Sequence, residues 1–247
     1  MTDATPAAAN GPLTVALVHG AWDNSSGWAG VIPILEAEGH NVIALANPLR
    51  SVTVDGNYIA SVASAIPGPV LLVGHSYGGA VISQAGSNVP NAVGLVYVAG
   101  FVPDEGETGV SILESYPPTE ILQILRPTPV FHAGDTEPHD EFTLDRARFH
   151  DVFCADLPEE TAKILAATQR PLSSLTLGEP FGAPAWKTLP SWAVVATGDL
   201  VIGVEAVRGM AERAGATITE VDASHAVMIS QPQAVADVIL TAVAAVS

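Results

Sequence analysis

Residues 70–79 read Val-Leu-Leu-Val-Gly-His-Ser-Tyr-Gly-Gly, an apolar run that ends in a G-x-S-x-G pattern. The run has the composition of a buried strand, and the residues after it have a helical pattern. So sharp a turn from strand to helix strains the backbone of Ser76 and exposes its hydroxyl. Gly74 and Gly78 stand where a side chain would collide with the neighbouring strand and helix. The stretch therefore predicts that Ser76 is a nucleophile.

Apolar runs and helical patterns alternate along much of the chain. Continuous apolar strands are typical of a parallel sheet that is covered on both faces by the connecting helices. The predicted strands are Leu13–Val18, Asn41–Leu45, Val70–Val73, Val93–Val98, Trp192–Ala196 and Thr217–Val221. The predicted helices are Trp28–Glu38, Gly56–Ile66, Tyr77–Ser87, Val204–Ala214 and Gln233–Val246. We therefore predict an α/β fold with a doubly wound, mainly parallel sheet of about six strands.

The alternation breaks in a stretch rich in Pro and Gly, residues 103–188. Its amphipathic pieces, Ser111–Leu125 and Pro158–Thr168, predict helices. A long insertion between two strands of a sheet commonly covers a site. We therefore predict one core, residues 1–102 and 189–247, with residues 103–188 inserted as a helical cap over the site.

The first predicted strand runs into His19-Gly20-Ala21-Trp22. A loop at this place can supply one N–H donor to a developing oxyanion, and the residue after the nucleophile supplies the other. We therefore predict that the oxyanion hole is formed by the backbone N–H groups of Ala21 and Tyr77. His19 is expected to shape the turn rather than to act as a base.

Two further strand ends complete a catalytic triad. One predicted strand runs into Asp199 and the next runs into His225, which gives the chain order Ser, Asp, His. We predict that His225 accepts the proton of Ser76 and that Asp199 orients the imidazole. Asp104, which follows another strand, is the alternative acid. Asp222 lies too close to His225 in sequence and is expected to shape the loop.

The remaining histidines show no metal-binding pattern. His75 adjoins the nucleophile and is expected to pack against the neighbouring helix, while His132, His139 and His150 lie in the cap without paired spacing. No H-E-x-x-H or clustered ligand pattern occurs in the sequence. We therefore predict neither a metal nor a cofactor.

Composition restricts the partners. The net charge is −17, from 26 acidic and 9 basic residues, and this repels nucleic acid and anionic membranes. No apolar run has membrane-spanning length, and residues 1–10 resemble a short disordered lead rather than a signal peptide. The lone Cys154 excludes an internal disulfide and favours a cytoplasmic location. We predict a small-molecule substrate, and the sequence is compatible with a homodimer.

On these residues the chain resembles the α/β-hydrolase superfamily over nearly its whole length. It is most similar to the cofactor-free subgroup of plant methylesterases, hydroxynitrile lyases and many bacterial esterases. The resemblance rests on residues 19–21, Trp28, residues 74–79, residues 101–104, and Asp199 with His225. It implies a six-stranded parallel core, a helical cap and ester chemistry without a metal. The segments 47–49 and 169–171 are similar to bacterial hydrolases of unassigned substrate.

Differences from related enzymes at three positions reduce the number of activities that this chain is expected to have. Ser76 stands where haloalkane dehalogenases have Asp. Ala226 stands where the lyases have Lys, and the first loop, with Gly20 and Ala21, lacks their Thr. Without that ammonium a departing cyanide has no electrostatic stabiliser, so lyase activity is not expected. Two functions from different classes remain. One is a hydrolase of small or medium carboxylic esters or of the related lactones, carbamates and activated amides. The other is a small-molecule receptor on the same fold.

Aromatic residues are the candidates for the substrate pocket. Trp22 and Trp28, in and just after the first loop, are predicted to bind substrate. Aromatic residues of the cap line the pocket or pack the cap on the core: Phe131, Phe142, Phe149, Phe153 and Trp186.

Overall fold

The computed structural model describes residues 11–131, 134 and 136–247. The predicted lead at residues 1–10 and His132 lie outside the described residues. In chain order the elements are β1 (Thr14–Val18), α1 (Ile32–Ala37), β2 (Asn41–Leu45), α2 (Val52–Ser64), β3 (Val70–His75), α3 (Tyr77–Gly86), β4 (Ala92–Val98), α4 (Gly109–Ser115), α5 (Ile121–Ile124), β5 (Leu125–Val130), β6 (His139–Leu144), α6 (Phe149–Phe153), α7 (Glu159–Thr168), β7 (Leu172–Ser173), α8 (Leu175–Gly178), β8 (Ser191–Ala196), α9 (Val204–Arg213), β9 (Thr217–Val221), α10 (Val227–Ser230) and α11 (Pro232–Val246). Short 3-10 helices cover Ser25–Trp28 and Ala185–Lys187.

The predicted sheet is confirmed. Its strands lie in the order β2-β1-β3-β4-β8-β9, and each neighbouring pair is parallel. The chain changes direction across the sheet at β1: β2 lies on one side of β1, and β3 and all later strands lie on its other side. Ligands of open α/β sheets bind beyond the carboxyl ends of the strands at such a switch point. The loops after β1 and β3 meet there.

Helices cover both faces of this sheet. Alternate residues of β1 face opposite layers: Val15 and Leu17 pack with α1 and α11, while Ala16 and Val18 pack with α2, α3 and α9. Strands β1, β3 and β8 are buried on both faces, which explains their apolar sequences, whereas the edge strands β2 and β9 are partly exposed. Among the described helices, none is long and apolar enough to cross a membrane.

The insertion between β4 and β8 is mixed rather than helical. It contains a second, antiparallel sheet in the order β5-β6-β7, which the sequence analysis did not predict. Pro127 and Pro129 hid β5, because proline cannot donate to a ladder and is confined to edge strands. The helix predicted over Ser111–Leu125 is divided into α4 and α5 around Pro117-Pro118, which disfavour helix at and before them. The predicted helix at Pro158–Thr168 agrees with α7.

Candidate active site

Ser76 forms the turn between β3 and α3. Its backbone has φ 53° and ψ −125°, a conformation that residues with side chains rarely adopt. The turn is held by its neighbours: the Ser76 N–H donates to the Val98 carbonyl, and the Ser76 carbonyl accepts the Phe101 N–H, each at 3.1 Å. Such strain persists only where the surrounding structure over-determines it, and it is concentrated at functional sites.

Two glycines allow this turn. A Cβ on Gly74 would lie 2.4 Å from the Gly78 carbonyl oxygen, and one on Gly78 would lie 2.5 Å from the Val18 carbonyl oxygen. Both neighbours are backbone atoms, which cannot give way as a flexible side chain would. Helix α3 therefore begins in direct backbone contact with β1, as the spacing of the motif predicts.

The loop after β1 lies against Ser76. Val18 at the end of β1 pairs with Gly74 in β3, and a Cβ on Gly20 would lie 2.6 Å from the Ser76 Cβ. Ala21 and Tyr77 line the same cavity as Ser76. Tyr77 is the first residue of α3, where N–H groups have no acceptor within the helix and carry the positive end of its dipole. The two predicted oxyanion donors thus flank the nucleophile.

His19 holds this loop in shape. Its Nε2 accepts the Asn47 N–H at 3.0 Å and lies 3.2 Å from Arg170 Nη1, so the proton is on Nδ1, which donates to the Gly20 carbonyl at 2.9 Å. Burial lowers the pKa of His19 to about 4, with the Gly20 carbonyl opposing and Arg170 adding to the shift. His19 is therefore neutral at neutral pH, and both ring nitrogens are occupied by structural contacts.

Asp199 and His225 form a buried pair. His225 Nδ1 lies 2.8 Å from Asp199 Oδ2, and both side chains are inaccessible to solvent. Burial alone would raise the pKa of Asp199, but His225 and the N–H groups of Val201 and Ile202 hold it below its ordinary value. Within the described part of the chain, His225 Nε2 has no hydrogen-bond partner. This is the nitrogen that can accept a proton from a hydroxyl.

His75 joins this pair to the nucleophile turn. Its ring lies 4.8 Å from the His225 ring, centroid to centroid, and its Nε2 donates to the His225 carbonyl at 3.0 Å. Burial, with repulsion from His225, lowers the pKa of His75 to about 3. His75 is thus neutral and supports the His225 backbone through this hydrogen bond, which is a structural role, as expected.

A largely apolar cavity opens above Ser76. It holds ≈ 540 Å³ of empty space, its open mouth included. The core contributes Ser76, its flanking loops and the segment after Asp199, and the cap contributes α4, α5, β7 and α8. Among the residues that the structure describes, no charged one lines it. Its walls are Ala21, Trp22, Ser76, Tyr77, Phe101, Gly109, Leu113, Ile121, Leu122, Leu125, Leu172, Thr176, Leu177, Phe181, Val201 and Ile202.

Of the two tryptophans predicted to bind substrate, one lines the cavity and the other does not. Trp22 lines the cavity, and its indole N–H donates to the Phe142 carbonyl at 2.9 Å. Trp28 does not: it is fully buried in the layer with α1 and α11 and packs edge-on to His75. The interpretation of Trp28 as a substrate-binding residue was therefore wrong, because its position after the loop carries it behind the sheet. The cavity wall also omits the five cap aromatics proposed from sequence: Phe131, Phe142, Phe149, Phe153 and Trp186.

The rival assignments for the acid lie elsewhere. Asp104 pairs with Lys187 at 2.5 Å, and that contact is the main reason its pKa is below the ordinary value. Asp222 is exposed at the end of β9. Of the cap histidines, His150 contacts the Leu157 carbonyl at 2.8 Å. The described residues contain no group of three or more His, Cys, Asp or Glu side chains able to hold a metal ion.

Asp23 is a residue that the sequence analysis missed. It is almost fully buried, and its Oδ2 has no hydrogen-bond partner among the residues described. Burial raises its pKa to about 6, although the Asn24 N–H and the nearby His225 favour the carboxylate. A second carboxyl thus stands near the imidazole. The sequence does place an acidic residue directly after the loop 19–22. A single acidic residue in a loop forms no periodic pattern, so nothing marked it as buried.

Comparisons with known proteins agree with the fold. A protein-family model described as "Alpha/beta hydrolase family" matches residues 15–238. Methylesterase 8 of Arabidopsis thaliana is 26% identical, over 91% of this chain and 87% of that protein. A pyrethroid hydrolase of Sphingobium wenxiniae is 28% identical, over 91% and 85% respectively. The crystal structure of polyneuridine aldehyde esterase superposes with a TM-score of 0.81 at 20% identity, over 94% of this chain and 100% of that one.

The chain belongs to the alpha/beta hydrolase family, since the family model covers most of its length. Its relatives are named as esterases and hydrolases, and the enzyme is a hydrolase.

Proposed function

We propose that this hydrolase cleaves uncharged carboxylic esters through an acyl-enzyme intermediate on Ser76. The observation that carries the proposal is the convergence of three features: a strained serine at the strand-to-helix turn, a buried His225–Asp199 pair at 2.8 Å, and an apolar cavity above the serine. A relative named methylesterase and one named pyrethroid hydrolase support ester chemistry.

The proposed reaction has two halves. His225 Nε2 accepts the Ser76 proton as Oγ attacks the carbonyl carbon, and the N–H groups of Ala21 and Tyr77 stabilise the oxyanion. The intermediate collapses, the C–O bond to the alcohol breaks, and the imidazolium gives its proton to the leaving alkoxide. Water, deprotonated by the same imidazole, then attacks the acyl carbon, the bond from that carbon to Ser76 Oγ breaks, and the imidazolium returns its proton to Oγ as the acid leaves. Asp199 holds the tautomer with the proton on Nδ1 and stabilises the imidazolium.

The cavity supports a substrate class. Its lining residues are apolar apart from a few hydroxyl-bearing side chains, and the Thr176 hydroxyl already donates to the Ser173 carbonyl at 2.7 Å. An ionised acyl or alcohol group would lose its hydration there without gaining a partner. We therefore propose small-molecule esters with apolar groups on both sides as substrates, with residues 103–188 acting as the cap that binds them.

A matched pair of substrates tests this proposal. p-Nitrophenyl hexanoate and mono-p-nitrophenyl glutarate have acyl groups of similar length, but the second carries a carboxylate. We expect kcat/KM for the neutral ester to exceed that for the anionic one by about 100-fold, with repeated turnover, because an unpaired buried charge costs several kcal/mol. Absence of turnover of neutral esters would contradict the hydrolase assignment. A single stoichiometric acylation would favour the receptor, and equal rates on both esters would contradict the substrate class.

A further inference from the structure

The loop that carries His225 is held from the cap. On one side of His225, the Ala226 N–H donates to the Phe153 carbonyl at 3.2 Å. On the other side, Ser224 donates twice to the carboxylate of Asp156: its N–H to Oδ2 at 3.1 Å, and its hydroxyl to Oδ1 in a short contact. Phe153 and Asp156 both belong to the segment at the end of α6. The core also holds this loop: His75 donates to the His225 carbonyl, the Gly198 N–H donates to the Ala223 carbonyl at 2.9 Å, and Asp199 binds the His225 ring.

The Asp156 contact is of a strong kind. Both carboxylate oxygens accept hydrogen bonds from a single residue, and charge-assisted bonds of this type are shorter and stronger than neutral ones. Partial burial would raise the pKa of Asp156, but the Ser224 hydroxyl and N–H, together with Ser230, hold it below its ordinary value, so the carboxylate is charged at neutral pH. Ser224 is itself buried, so the loss of its acceptor would leave two buried donors unpaired.

Phe153 adds packing to the same arrangement. Its ring meets the His225 ring edge-on at 5.1 Å, stacks on Phe149 at 4.8 Å and lies edge-on to Trp22 at 6.5 Å. The end of α6 therefore covers the imidazole with a ring and fixes the backbone on both sides of it. A displacement of this segment would move the imidazole relative to Ser76.

We infer that Asp156 is a positioning residue, which fixes the His225 loop through Ser224 and thereby sets the orientation of the general base. The inference rests on the proposed function. Asp156 does not line the cavity, so substrate binding does not depend on it directly. Its loss should act on the chemical steps, because a misplacement of about 1 Å of a catalytic group lowers rates by about 100-fold.

The kinetic test compares three variants with the wild type. Asp156→Ala should lower kcat by about 10- to 100-fold on p-nitrophenyl hexanoate, with KM changed by less than about threefold. Asp156→Asn retains one acceptor oxygen and should lie between Asp156→Ala and the wild type. Asp151→Asn is the control, because Asp151 lies on α6, is exposed and faces Arg148 at 3.9 Å rather than the His225 loop. Rates are expressed per active site titrated with a serine-directed phosphonate, so unfolded protein does not count.

A spectroscopic readout separates this inference from the proposed function. The Nδ1–H proton of His225, bonded to Asp199, should give a low-field proton NMR signal, and the loss of that signal in Asp199→Asn would assign it. Asp156→Ala should shift or broaden that signal, while Asp151→Asn should leave it unchanged. A wild type inactive on every ester would sink the proposed function, and the signal would still report on the loop. An unchanged signal together with kcat within twofold of wild type in Asp156→Ala would overturn the positioning role.

Discussion

The core and the cap contribute to the site by different means. The core places its chemical groups with the backbone: Ser76, Ala21, Asp199 and His225 all follow strands of one parallel sheet, so the geometry of the sheet brings them to one edge. The cap places apolar side chains from α4, α5, β7 and α8 around a cavity. Changes in the core loops should therefore alter the rate of bond breaking, while changes in the cap wall should alter the choice of substrate.

The largest expected effect is in the core. Ser76→Ala should fold normally and lower kcat by about 1,000-fold or more, because no other nucleophile stands at the turn. The measurement is p-nitrophenyl ester turnover, together with labelling by a serine-directed phosphonate, which should react at Ser76 alone. Ser61→Ala, on the exposed side of α2, is the matched control. Activity retained in Ser76→Ala, or labelling at Ser83 or Ser224, would refute the nucleophile assignment.

The second comparison is between two carboxylates of the core. Asp199→Asn should lower kcat by about 100-fold or more, since an amide cannot hold the same tautomer of His225 or stabilise its charge. Asp104→Asn should change kcat by less than about threefold, because Asp104 pairs with Lys187. Circular dichroism checks that both variants are folded. The reverse ranking would make Asp104 the acid.

The third expected effect concerns stability in the core. The pKa of Asp23 in the folded protein, about 6, is above its ordinary value of 3.8, so the native state binds more protons between these values. Asp23 should therefore contribute a fall of about 2 kcal/mol in the free energy of unfolding as pH rises from about 4 to 6, while His19 and His75, whose pKa values are lowered, contribute a rise over the same range. Asp23→Asn should remove the first contribution alone, so stability should rise more steeply with pH in the variant than in the wild type. Urea unfolding at pH 4.5 and pH 7 measures it, and the same slope in both proteins would show that Asp23 does not titrate on folding.

The smallest expected effect is in the cap. Leu113→Ala enlarges the cavity, so kcat/KM for octanoate relative to butyrate p-nitrophenyl esters should rise by about 10-fold, since each buried methylene is worth about 1 kcal/mol. Leu175→Ala removes an equal volume from a half-exposed cap position outside the cavity and should leave the ratio unchanged. Equal shifts in the two variants would contradict the assignment of the cap wall.

The sequence was informative where backbone geometry decides the structure. The central strands are apolar runs, and Ser76, Asp199 and His225 could be predicted at one edge of the sheet because each follows a strand. The cavity wall was not predictable in the same way. Whether Leu113, Ile121 and Leu122 face inward depends on the break between α4 and α5, which the single predicted helix did not contain. Trp28 was misplaced for a related reason, since nearness in sequence to the loop says nothing about which face of the sheet it covers.

The contacts of Arg170, Phe153 and Asp156 have an evolutionary consequence. Arg170 donates to the Asn47 carbonyl at 2.8 Å beside the loop 19–22, and the other two hold the His225 loop, so these parts of the cap are tied to the geometry of the proposed catalytic groups. The wall residues of α4 and α5 are apolar and offer side-chain surface instead. A lineage, or a directed-evolution library, can therefore vary that wall and acquire new substrates while the machinery that breaks the bond is inherited intact.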